Sequence, residues 1–179
     1  MADRLVEMVV ESVRVHMLSS QHVVILKESD HERYLPIWIG PWEANAIAMR
    51  LQGLTPERPL THDLFASTLA ELGVKIRQVV IVDLADETFL ARLTLESGGQ
   101  VLEIDSRPSD ALALAVRAGV RIFASEKVMA RASVEPDART GEAIDMTGQR
   151  SADPRLEVFR DFVNSLEVDM EGREGPTPE

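Results

Sequence analysis

The stretch HVVILKESDHERYLPIWIGPWEANAIAMRLQG, His22 to Gly53, decides the fold, because its apolar period changes part-way along. HVVILKE, His22 to Glu28, is a nearly unbroken apolar run and reads as a buried strand, which the polar tract ESDHER turns into a second strand, YLPIWIG, Tyr34 to Gly40. Pro36 lacks an N–H, so that strand is expected at a sheet edge or at a bulge. Pro41 suits the first position of a helix, and WEANAIAMRLQG continues at helical spacing to a stop at Gly53.

Upstream, Val6 to Leu18 alternates apolar and polar residues as a strand does, so the chain opens as an antiparallel meander. Downstream, THDLFASTLAELG predicts a helix with Thr61 as N-cap, Asp63 in the first turn, Leu64, Phe65, Leu69 and Leu72 on one face, and Gly73 as terminator. VKIRQVVIVDLA, TFLARLTLES and QVLEIDS predict three strands, linked by tight turns at Asp86-Glu87 and Gly98-Gly99. A helix from Pro108 to Ala118, a short strand RIFAS and a short helix EKVMARA follow. These elements define a domain over 1–132. Residues 133–153 lose the periodic pattern and read as an acidic linker or mobile loop; 154–168 read as an amphipathic helix and 169–179 as a disordered tail.

Composition narrows the field. A chain of 179 residues buries roughly 70% of its unfolded surface and needs no disulfide or metal to fold. It has no cysteine, no signal-peptide pattern and no apolar run near the ~18 residues needed to span a bilayer. A cytoplasmic protein without membrane partners is the expectation. Net charge is −11, of which −4 falls in residues 1–132 and −7 in 133–179. The domain therefore lacks the basic footprint of proteins that hold long stretches of phosphate backbone.

Three segments carry chemistry: LPIWIGPWEANAI, RPLTHDLF (Arg58 to Phe65) and IDSRPSDALALAVRAGVRIF, which repeats the Arg-Pro then Asp order at Arg107 to Asp110. In this order and spacing they resemble the bifunctional nuclease domain family of bacteria and plants, over about Val6 to Ala132. The resemblance implies a mixed α+β fold, here a largely antiparallel sheet with helices inserted between strands plus a C-terminal helix. It also implies hydrolysis of DNA and RNA, and a tendency to form homo-oligomers.

Phosphodiester hydrolysis needs a positioned water, neutralised phosphate oxygens and help for the leaving oxygen. Within the motifs, Arg58 and Arg107, with Thr61 and Ser109, are candidates to bind phosphate. His62 is a candidate proton carrier near neutral pH. Glu43, Asp63 and Asp110 are candidates to orient water or to coordinate Mg²⁺ or Mn²⁺; no organic cofactor is expected.

Each candidate also has a structural reading. Thr61, Asp63, Ser109 and Asp110 suit any helix start, Glu43 falls in a first turn that favours acids, and Arg58 and Arg107 are natural ion-pair partners for them. His62 and Asp63 are neighbours on a helix and do not face each other. Trp38 and Trp42 read as core or interface anchors rather than base-stacking platforms, since an alternating strand context predicts burial, and His16, His22 and His31 read as strand and turn residues without metal-ligand spacing. The chain carries no glycine-rich phosphate loop, nucleophile-elbow serine or H-E-x-x-H pattern. Two functions stay open: a nuclease, and a non-catalytic oligomeric module that binds a small phosphate-bearing ligand.

Overall fold

The computed structural model describes residues 4–15, 21–136 and 143–144. β1 (Leu5–Val15), β2 (His22–Glu28) and β3 (Tyr34–Ile39) form the expected antiparallel meander. Val23 to Leu26 are all fully buried, so β2 is covered on both faces, as its unbroken apolar run requires. β3 ends the sheet, and Pro36, opposite Ile25, therefore interrupts no interior ladder.

α1 (Pro41–Leu51) and α2 (Thr61–Glu71) follow, then β4 (Lys75–Ala85), β5 (Thr88–Ser97) and β6 (Gln100–Ser106). The β4–β5 turn places Asp86 and Glu87 at φ 45° and 61°, the left-handed geometry a two-residue hairpin demands. α3 (Pro108–Ala118), β7 (Arg121–Ser125) and α4 (Glu126–Ala132) complete the domain, α4 being capped by the Ser125 hydroxyl accepting from Val128 N–H at 3.3 Å.

The seven strands lie in the order β3-β2-β1-β7-β4-β5-β6. β7 enters between β1 and β4, antiparallel to the first and parallel to the second, making the fold a mixed, largely antiparallel α+β sheet. The core joins Val24, Leu26, Leu35 and Ile37 of the meander to Val79, Ile81 and Leu93 of the other half through Ala111 to Ala115 of α3. α1 and α3 leave strands at opposite ends of the sheet order, yet they pack on each other. Their N-termini meet.

Just past α4, Val134 is still bound to the domain. Val134 is buried and exchanges backbone hydrogen bonds with Tyr34 at 2.9 and 2.8 Å, and β8 (Glu135–Pro136) pairs with β9 (Ala143–Ile144). The start of the segment read from sequence as a linker is thus part of the folded unit; a single bridge has no periodic signature to read. The helix expected over 154–168, the tail 169–179, His16 and the end of the first strand lie outside the described residues.

Candidate active site

Arg107 stands immediately before α3 and reaches two carboxylates. Its Nε donates to Asp110 Oδ2 at 2.7 Å and its Nη2 to Glu43 Oε1 at 2.8 Å. Glu43 sits in the first turn of α1, so this one guanidinium ties the starts of two helices together. The Arg107 side chain is still 68% exposed, whereas Glu43 is 16% exposed. The acids hold the guanidinium in place while one of its faces meets solvent.

Gly40 makes this arrangement possible. Its backbone is ordinary extended chain, but a Cβ there would collide with the Glu43 carboxylate, which folds back over the N-terminus of α1.

His62 of α2 joins from the other side, with Nε2 at 3.1 Å from Asp110 Oδ1. Among the described residues its Nδ1 makes no hydrogen bond. Burial pushes the Asp110 carboxyl up, but hydrogen bonds from Arg107 and His62 outweigh it and hold the group below the usual carboxylate range. The hydrogen bond to Asp110, reinforced by that to Glu43, raises the Arg107 pKa further, so the cation is permanent.

Asp63, the next residue along α2, does something else. Its Oδ2 accepts from Leu60 N–H at 3.0 Å and its Oδ1 from Arg117 Nε at 2.6 Å. Arg117 lies near the end of α3 with an 8% exposed side chain, and its Nη1 also donates to the carbonyls of Ala46 and Ala113 at 3.2 and 2.9 Å. Desolvation raises the Asp63 pKa, and the bonds from Arg117 and Leu60 lower it by more. Consecutive residues of α2 thus grip opposite ends of α3.

Arg58 is exposed in the α1–α2 loop, and among the described residues it makes no hydrogen bond or ion pair. Thr61 is exposed and is the first residue of α2; Leu60, not Thr61, is the N-cap, because Asp63 supplies the capping oxygen from within the helix. Ser109 is buried at the start of α3 and lines a cavity of about 550 Å³ beside Arg107. Trp38 lines the same cavity and is half-buried, whereas Trp42 is 83% exposed and is not a core residue. The first helical turn of α1 faces solvent at Trp42.

As arranged here, Glu43, Asp63 and Asp110 do not form a cage for a divalent ion. Asp110 and Asp63 use both of their oxygens on protein donors, Glu43 gives one to Arg107, and among the described residues no group of three His, Asp or Glu is placed to hold a metal. Two residues escaped the sequence reading. Arg117 was legible in principle, standing seven positions after Asp110 and so on the same face of α3. Gly40 was not, because its role is a steric contact.

A second charged group, Glu28 with His31 and Arg33, and Arg33 with Glu126, ties the β2–β3 turn to α4. Its nearly buried Glu28 is neutralised by its own neighbours.

Fold and cluster together define a mixed α+β domain that presents an anchored arginine beside a His–Asp pair. The sequence matches the bifunctional nuclease domain family over residues 24–137, most of the chain, and the protein belongs to that family. An uncharacterized protein of Mycobacterium tuberculosis is 42% identical over 164 residues, covering 91% of this chain and 96% of its own. Bifunctional nuclease 1 of Oryza sativa subsp. indica is 23% identical over 120 residues, covering 65% of this chain and 36% of the rice protein. No helix among the described residues is long and apolar enough to cross a membrane.

Proposed function

We propose that this protein hydrolyses phosphodiester bonds of DNA and RNA. The observation that carries the reading is Arg107, a cation braced by Glu43 and Asp110 yet 68% exposed beside His62. A guanidinium fixed in this way accepts a phosphate without losing further side-chain freedom, and its remaining N–H groups match non-bridging oxygens. Asp110 fixes the ring of His62 through Nε2 and leaves Nδ1 to take a proton from the attacking water. As the P–O bond breaks, the departing oxygen carries the charge, which Arg107 stabilises until the proton held on His62 Nδ1 passes to it. Assistance by Mg²⁺ or Mn²⁺, which would neutralise phosphate oxygens alongside Arg107, predicts a rate that rises on titration with either ion.

The reading extends to a cytoplasmic homo-oligomer. Support for self-association comes from apolar side chains at the surface, with Leu64 60%, Leu72 71% and Val101 65% exposed, and from β6 as a terminal strand.

The acidic balance of −11 favours a second reading, a module that binds a small phosphate-bearing ligand without turnover. Incubating the purified full chain with single-stranded DNA and RNA, with and without Mn²⁺, separates the two. The nuclease reading predicts cleavage that falls about 100-fold or more in Arg107→Ala. Absence of cleavage by wild type in every condition, with phosphate binding retained, supports the module.

A further inference from the structure

We infer that the cavity beside Arg107 is a nucleobase subsite, taking one unstacked base of the nucleotide whose phosphate Arg107 holds. The inference rests on the nuclease reading for its substrate class and on different residues for its evidence.

The cavity measures about 550 Å³ and is bounded by the start of β2, the end of β3, the beginning of β5 and the N-terminus of α3. That volume falls within the roughly 300–1,000 Å³ range of small-ligand sites. Two aromatic rings line it from opposite halves of the sheet, Trp38 of β3 and Phe89 of β5, both half-buried. His22, Thr88 and Ser109 add polar edges together with Gln21 and the acid Glu87, which suits the donor edge of a base rather than a phosphate, and Arg107 forms part of the wall. Half-buried rings beside polar edges suit a base, whose faces are apolar and whose rim carries donors and acceptors. A phosphate-only ligand would leave the aromatic wall unused.

Charge leads to the same occupant. A domain at −4 cannot gain much affinity from many phosphate contacts, so the binding energy for a polyanion has to come from elsewhere. Stacking supplies it without net positive charge, and it tolerates any sequence because every base has a π face. A paired base is not available to such a cavity unless it first leaves the stack, so a single strand enters at lower cost.

The test measures binding without turnover, in EDTA, by fluorescence anisotropy of the full chain. The probes are a labelled short oligothymidylate and the same strand built from abasic tetrahydrofuran nucleotides. Wild type should bind the strand with bases about tenfold more tightly than the abasic strand. Phe89→Leu, which removes one of the two rings, and Thr88→Leu should each reduce that ratio while leaving abasic affinity unchanged within about twofold. Thr88 is exposed and lines the cavity, so a leucine there narrows it without entering the core and without adding a ring. A wild-type ratio near one, no binding of the single strand, or a ratio unchanged in both variants overturns the inference. Failure of cleavage alone would count against the nuclease reading and leave this measurement unaffected.

Discussion

The starts of α2 and α3 are written in the same grammar, Arg-Pro followed by an Asp in the first helical turn, yet the molecule uses them differently. At α3, Asp110 forgoes the backbone and turns both oxygens to side chains, Arg107 and His62. At α2, Asp63 caps its own helix and locks onto the nearly buried Arg117. The preceding arginines diverge likewise, Arg107 being braced by two acids and Arg58 standing alone among the described residues. The α3 start supplies Arg107 and Asp110 to the site, while the α2 start lends it His62 and uses its own Asp to fasten α2 to α3. A sequence motif therefore fixes a local conformation, while what the side chains do is decided by the element packed against them.

The largest effect that sharpens this contrast is on stability. α2 has no fully buried residue and touches the core only through partly buried side chains such as Ala66 and Leu69, so its hold on α3 leans on two polar links, His62–Asp110 at one end and the less exposed Asp63–Arg117 pair at the other. Arg117→Met, which leaves Asp63 without its cation, should cost about 3 kcal/mol. Differential scanning calorimetry should show Tm lowered by roughly 6–12 °C. A shift within a degree of wild type would mean that α2 is held by other contacts.

A smaller effect concerns acid. Asp63 has a folded-state pKa below its unfolded value, so the stability it contributes is complete above the unfolded value, ~3.9, and is lost as pH falls through the folded value. Thermal midpoints measured downward from pH 5 should therefore fall more steeply for wild type than for Asp63→Asn. Parallel slopes would place the acid sensitivity elsewhere.

The smallest effect is the most telling about Arg58. Its exposed position, unpaired among the described residues, predicts that Arg58→Ala changes cleavage by less than about twofold and leaves Tm unchanged, as surface substitutions generally do. A large loss of activity would bring Arg58 into the site and erase the difference between the two helix starts.

Most of the architecture was legible because the apolar period states it. The strand His22–Glu28, the helix Pro41–Leu51 and both hairpin turns fall where alternation, proline and turn residues place them. The insertion of β7 between β1 and β4 was not legible, since strand pairing depends on partners far along the chain. In the same way, sequence singled out Glu43, His62, Arg107 and Asp110, which the fold assembles, together with Asp63, which pairs with Arg117 instead, and Arg58, which among the described residues bonds to none of them. A helix-start acid looks the same whether it caps, pairs or serves chemistry. Spacing puts Arg117 on the Asp110 face of α3 without naming its partner Asp63, and Gly40 acts through a close contact that no local pattern records.

The most direct test compares two isosteric changes, Asp110→Asn and Asp63→Asn, by cleavage rate per folded molecule alongside thermal denaturation. Division of labour between the helix starts predicts that Asp110→Asn loses about 100-fold or more in rate with a near-native Tm. Asp63→Asn should lower Tm and keep most of the rate of its folded fraction. The opposite pattern, or equal losses of rate in both, would contradict the assignment of chemistry to the α3 start.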